Sequence, residues 1–210
     1  MSCSQNEEEK VILEYFDRGY MQAHLSNGKG SFIDIGANDG VTLSNTRALA
    51  ERGWLGVLVE PSPSAFAKLK ENYKDKEGFY FYPFALGVTN GKVKMWDSGT
   101  HLNKGDTGLL STLVDADKAK WEKSTQFTEI EVQCFRWKTF LNRLKLKSFD
   151  FISLDAEGLD YEILKQIDLR ETSLICVEFN GDANLKLEFD KLCIGFKLVY
   201  TSPENLIYGR

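Results

Sequence analysis

No apolar run in this 210-residue chain approaches the length of a membrane span, and Met1-Ser2-Cys3-Ser4-Gln5 carries no signal-peptide core. A basic surplus is missing too. The 26 Lys and Arg against 31 Asp and Glu leave a net charge of −5, so no general attraction to nucleic acid or an anionic membrane is expected. The four cysteines (Cys3, Cys134, Cys176, Cys193) form no Cys-x-x-Cys pair, which argues against zinc. Cys176 lies inside an apolar strand-like run, so reduced, buried thiols in a cytoplasmic protein are expected. No repeat, linker or low-complexity tract divides the chain, and its length suits one α/β domain over residues 1–210 with a full core.

The most informative absence is Gly-x-Gly-x-x-Gly, the turn that seats a dinucleotide pyrophosphate on a helix N-terminus. In its place stands Phe32-Ile33-Asp34-Ile35-Gly36-Ala37-Asn38-Asp39-Gly40. Phe32 to Ile35 read as a buried strand and Gly36 to Gly40 as a tight turn opening onto a helix. A second apolar run, Leu55 to Val59, ends in Glu60, where an acid accepts hydrogen bonds from ribose hydroxyls. Asp34 and Asp39 would repel a pyrophosphate but suit the ammonium and sulfonium of S-adenosylmethionine. A plainer reading leaves Asp34 tying down the turn and Asp39 capping the next helix, without accounting for Glu60.

The remaining pattern alternates strand and helix. Apolar residues at helical spacing run from Glu7 to Leu25, making residues 1–28 an N-terminal helical extension. Helices are predicted over Ser44 to Arg52, Ser64 to Tyr73, Lys138 to Leu146, Tyr161 to Ile167 and Ala183 to Leu192. Strands are predicted over Phe79 to Leu86, Lys92 to Trp96, Ile130 to Cys134, Phe149 to Leu154 and Leu174 to Phe179. Phe196 to Thr201 and Asn205 to Tyr208 form a closing hairpin. The alternation implies one doubly wound, mostly parallel sheet with helices on both faces. Residues 97–128 are polar and glycine-punctuated, with a short helix around Val114 to Lys123, and are expected to be a lid or acceptor-binding segment.

Ligands of such sheets sit beyond the carboxyl ends of the strands. Asp34, Asn38, Glu60, Asp155, Glu157, Glu178 and Asn180 are all phased to those ends. Helix capping is the bland alternative for Asp155 and Glu157.

Several segments together resemble the FkbM-type S-adenosylmethionine-dependent methyltransferases: Asp34 to Gly40 with Ser44-Asn45-Thr46, and Gly53 to Gly56 leading into Glu60-Pro61-Ser62-Pro63. Ala85-Leu86-Gly87, Phe151 to Gly158, Val177 to Asn180 and Asn205 to Tyr208 follow in order, so the likeness runs from Phe32 to the C-terminus. The resemblance implies a class I methyltransferase fold, a seven-stranded sheet with an antiparallel last strand, and methyl transfer to oxygen. It puts Asp34, Gly36, Ala37, Asn38, Asp39 and Gly40 around the methionine part of the cofactor, and Glu60 on the ribose. Pro61, Ser62 and Ala85 then fall along the adenosine. Many class I enzymes place an acid at the third strand's end for adenine, and this chain has none.

A sulfonium methyl is already activated, so the protein must align the acceptor, and a base near the acceptor oxygen helps. Asp155 is the first candidate, followed by Glu157, Glu178 and His101. The three acids offer oxygen ligands for Mg²⁺ as an alternative, but carboxylates beside a cationic cofactor need no metal, and none is assigned. The expected acceptor is a hydroxyl on a small molecule or glycan. The competing readings are a nucleotide-dependent oxidoreductase with a degenerate fingerprint and a non-catalytic cofactor-binding module.

Overall fold

The computed structural model describes residues 3–19, 25, 28–99 and 108–210. After α1 (Glu8–Phe16), the chain alternates through β1 (Ser31–Ile35), α2 (Arg47–Glu51), β2 (Leu55–Val59), α3 (Pro63–Asn72) and β3 (Phe79–Tyr82). β4 (Ala85–Leu86), β5 (Gly91–Asp97), α4 (Asp115–Trp121), β6 (Thr128–Phe135) and α5 (Trp137–Leu141) come next. The last part holds β7 (Phe151–Leu154), α6 (Asp160–Leu164), β8 (Leu174–Glu178), α7 (Ala183–Leu192), β9 (Lys197–Thr201) and β10 (Asn205–Gly209). Seven strands form the main sheet in the order β3-β2-β1-β7-β8-β10-β9. β1, β2, β3, β7 and β8 run parallel, and β10 is antiparallel to both its neighbours, as the expected fold class requires. No helix among the described residues is long and apolar enough to cross a membrane.

Period-two alternation sorts each central strand onto two cores. Ile33, Ile35, Val57, Val59, Ile152, Leu154, Ile175 and Val177 pack on one face, against Phe140 and Phe189. Phe32, Leu58, Phe151 and Cys176 pack on the other, against Ile12, Phe16, Leu49 and Leu69. Full burial of each large side chain contributes roughly 1.5–3 kcal/mol, which holds the strand tips in fixed relation.

Three expectations need correction. The strand predicted from Phe79 to Leu86 breaks at Pro83, which has no N–H for the ladder. Beyond it, Ala85 and Leu86 pair with Cys134 and Phe135 instead of β2. β5 and β6 therefore leave the main sheet and form a second one, ordered β4-β6-β5. The helix predicted from Ser44 begins only at Arg47, so residues 36–46 form a long crossing loop. The N-terminal helix runs from Glu8 to Phe16, and residues 20–24, including His24, lie outside the described ones.

The loop after β1 is pinned by close backbone approach. Gly36 and Ala37 donate to the Val59 carbonyl at 3.0 and 3.1 Å, and Asp155 N donates to Ile35 O at 2.9 Å. A Cβ on Gly36 would lie 1.7 Å from the Asp155 carbonyl oxygen, and its φ of +84° is one that L residues rarely adopt. Gly36→Ala is expected to cost on the order of 3 kcal/mol or more, because backbone must move. Urea denaturation at pH 7.5 measures it; a midpoint unchanged from wild type would show that β1 and β7 do not meet this tightly.

Candidate active site

The carboxyl ends of β1, β2, β7 and β8 open into a cavity of about 360 Å³, within the range of small-molecule sites. Of the residues singled out in the sequence, Asp34, Gly36, Ala37, Asn38, Glu60, Pro61, Ala85, Asp155, Glu157 and Glu178 line it. Asp39, Gly40 and Ser62 do not, and each has a structural task instead. Asp39 accepts from Val41 N, Thr42 N and Thr42 Oγ1, closing its own turn. Gly40 turns at φ +70° where a Cβ would strike Leu69 and Tyr73. Ser62 is fully buried, its N–H donating to Glu60 Oε1 at 2.7 Å and its hydroxyl to Asp97. His101 lies outside the described residues.

Glu60 is held on both oxygens, since Asn38 N donates to Oε2 at 2.9 Å. Burial raises its pKa to about 7 against the pull of those backbone donors, with Asp97 and Asp34 adding repulsion. Asp34 projects from the sheet face opposite Ile33 and Ile35. In register beside it come Ser153 and then Cys176. This polar row carries the crossing loop: Thr46 Oγ1 donates to Asp34 Oδ2 at 2.6 Å, and Asn45 Nδ2 to Cys176 Sγ at 3.6 Å. Burial raises Asp34 to about 6, opposed by its bonds to Thr46 and Ser153.

Asp160 decides the role of the acids at the β7 tip. Its carboxylate accepts from Ala156 N at 2.8 Å and Gly158 N at 3.2 Å, so the turn is closed without Asp155 or Glu157. Those two reach the cavity and join Glu178, one oxygen from each lying within 4.8 Å of the others. Desolvation comes first in raising all three carboxyls; repulsion then adds, from Asp160, Asp34 and Glu60 on Asp155, and from Asp155 and Asp160 on Glu157 and Glu178. Asp155 is nevertheless exposed on the cavity side, where it can exchange protons. The oxygen spacing is also one a divalent ion could span.

Backbone strain converges here. The described non-glycine residues with positive φ are Asn38, Leu43, Glu157 and Asn180, and all of them line the cavity. Such conformations persist only where surroundings enforce them, and they cluster at functional sites. Over the site lies the described part of the predicted lid. Gly108 N donates to Gly99 O at 2.7 Å, Thr112 Oγ1 to Glu157 O at 2.8 Å, and α4 buries none of its residues. Asn45, Thr46, Ser153 and Asp160 are the site residues that the motif reading did not assign. The strand phase of Phe151-Ile152-Ser153-Leu154 was the available signal for Ser153.

S-adenosylmethionine is tested by the donor set. Asn45 lines the cavity, and its Oδ1 is the only buried side-chain polar atom without a hydrogen-bond partner among the described residues. An unfilled acceptor in the cavity that Asp34 and Asp155 also line fits a cationic N–H donor.

Residues 34–192 match the family model of the methyltransferase FkbM domain. No curated protein matches the chain by sequence. Among solved structures, the methyltransferase FkbM from Methylobacillus flagellatus KT aligns with TM-score 0.55 and 12% identity, over 93% of this chain and 48% of that one. Monomeric WbdD aligns with TM-score 0.54 and 10% identity, over 98% and 41%. The precorrin-6y C5,15-methyltransferase from Geobacter metallireducens GS-15 aligns with TM-score 0.50 and 12% identity, over 100% and 93%. These likenesses establish the fold. This chain spans about half the length of the Methylobacillus protein.

The raised Asp34 carboxyl has a measurable consequence. Below its ordinary pKa of 3.8, folded and unfolded forms are both protonated and nothing is lost. As pH rises toward about 6, the unfolded form ionises first and stability falls, by on the order of 3 kcal/mol in total. Asp34→Asn should therefore flatten the pH dependence between pH 4 and 7 and raise the ligand-free melting temperature at pH 7.5. A melting temperature lower than wild type at both ends of that range would contradict this account.

Proposed function

The chain belongs to the FkbM methyltransferase family, and from that premise we propose that it is an S-adenosylmethionine-dependent O-methyltransferase acting on a hydroxyl of a small molecule or glycan. The observation that carries this reading is Glu60, locked by two backbone donors at the β2 tip and facing the same cavity as Asp155. Bound S-adenosylmethionine would supply a sulfonium-activated methyl group. Glu60 would accept from the ribose hydroxyls with the lone pairs its backbone donors leave free. Asp34, Asn38 and Asn45 would surround the methionine end, and Pro61 and Ala85 would flank the base.

The acceptor half belongs to Asp155, Glu157 and Glu178. Asp155 is the proposed base. A carboxylate with a raised pKa binds a proton more strongly, and exposure to the cavity puts it within reach of an acceptor O–H. Glu157 and Glu178 would orient the acceptor, and repulsion from Asp160, Asp34 and Glu60 adds to the Asp155 shift. Methyl transfer needs little else beyond a straight approach at close range. All four cysteines are unpaired, which supports a reducing, cytoplasmic setting.

Calorimetry with S-adenosylmethionine against NAD tests the cofactor; binding of NAD alone would return the chain to the oxidoreductase reading. Asp155→Asn should leave S-adenosylhomocysteine affinity within a few-fold of wild type. It should lower methyl transfer by about 10²-fold or more and remove its rise with pH. Wild-type rates in that variant would take Asp155 out of the base role.

A further inference from the structure

The chain before β1 also reaches the cavity. Among the described residues that precede Ser31, Gln5 alone lines it, beside Leu43, Ser44 and Asn45 of the crossing loop and Glu204 and Asn205 where β10 begins. Gln5 lies outside residues 34–192, so the family match assigns it no role. Both of its neighbours are fixed. Ser4 forms a parallel bridge with Leu43, whose φ is +55°, and the Ser4 hydroxyl accepts from Glu9 N at 3.1 Å. Asn6 N donates to Glu8 Oε2 at 2.8 Å, and Asn6 Nδ2 donates to Glu8 Oε1 at 3.1 Å and to Glu204 Oε2 at 2.8 Å. Residues 3–6 are thus a strap, tied on one side to the crossing loop and on the other to the start of β10. Glu8 is its anchor. It is 0% exposed, and Asn205 Nδ2 also donates to its Oε1, at 3.3 Å. Burial works against its ionisation, yet hydrogen bonds from Ser202, its own backbone and Asn6 hold its carboxyl below the usual range.

Resting on the methyltransferase reading, we propose that Gln5 is a further cofactor-binding residue, closing on the amino-acid end of S-adenosylmethionine, and that Glu8 is the positioning residue that holds it there. The strap pairs with the loop that carries Asn45 and, through Thr46, binds Asp34, the residues assigned to that end. Glu60 stands at the β2 tip, and β1, β7 and β8 separate β2 from β10, where the strap is anchored. The strap therefore meets the ligand away from the ribose. A carboxamide suits the amino-acid end, since its carbonyl accepts from an ammonium and its NH2 donates to a carboxylate. Burying the Glu8 carboxylate costs stability that an apolar side chain in its place would not. What that carboxylate secures is the placement of Asn6 and Asn205, and with them of Gln5.

The test uses the full chain and two ligands, S-adenosylhomocysteine and methylthioadenosine, the second of which keeps adenosine and sulfur but lacks the amino acid. By calorimetry, Gln5→Ala should weaken S-adenosylhomocysteine by about tenfold, the worth of one hydrogen bond to a charged group. Methylthioadenosine affinity and the ligand-free melting temperature should match wild type. Glu8→Gln turns an acceptor oxygen into a donor facing Asn6 or Asn205, and should lower the melting temperature and weaken S-adenosylhomocysteine while sparing methylthioadenosine. A merely structural role would move both ligands alike. Cys3 gives a readout in the unaltered chain, because it is half-buried and the other three cysteines are buried. S-adenosylhomocysteine should slow its labelling by a maleimide more than methylthioadenosine does. Unchanged S-adenosylhomocysteine affinity in Gln5→Ala, which a contact with the acceptor alone would give, overturns the proposal. Equal loss for both ligands, or equal slowing of Cys3 labelling by both, does so too. Wild type that binds neither ligand fails the methyltransferase reading first; wild type that binds S-adenosylhomocysteine whatever stands at position 5 fails the strap assignment alone.

Discussion

The contact between Gly36 and the Asp155 carbonyl is the constraint on which the site depends. β1 and β7 are register neighbours, and the chain leaving β1 must pass over the tip of β7 with no room for a side chain. Because backbone meets backbone there, the donor loop and the acidic turn form one rigid unit. Ile35 O accepts from Asp155 N, and Val59 O accepts from Gly36 and Ala37, so three strand tips are tied at one point. A looser crossing would separate Asp155 from Asn38 and Glu60, and in-line chemistry tolerates little displacement.

Around that point the protein stores destabilisation. Asp34 and Glu60 are 4% and 5% exposed, and burial raises both against their hydrogen-bond partners. Asp155, Glu157 and Glu178 crowd together without a basic residue among the described cavity lining. Non-glycine left-handed backbone gathers at the same place. The two apolar cores beneath offset these costs, and the net is a site that a cation relieves.

Much of this was legible from local pattern. The apolar runs at Asp34, Glu60, Asp155 and Glu178 marked four strand tips, and the fold rule pointed to the place beyond them where the cavity lies. Pro83 was legible too, yet aromatic β-propensity on both sides of it suggested one strand where the backbone makes two. The second sheet was not legible, because the pairing of Ala85 with Cys134 spans 49 residues and leaves no periodic trace. Asp160 escaped for a related reason. Three acids lie within six residues of the β7 tip, and only the turn geometry shows which one closes the turn and frees the others.

The two halves of the cavity differ in how they are built, and that difference explains why the sequence speaks of one and not the other. The donor half stands on strand tips backed by both cores, so its residues sit at positions that alternation and glycine spacing predict. The other half is bordered by α4, which buries none of its residues, and it is tied to the β7 tip through Thr112 to Glu157 O and the close fit of Asp117 against Gly158. With so little buried, packing imposes almost no pattern on residues 108–121. Any motion of α4 acts on the turn that carries Asp155 and Glu157, because Thr112 and Asp117 tie this lightly packed helix to it.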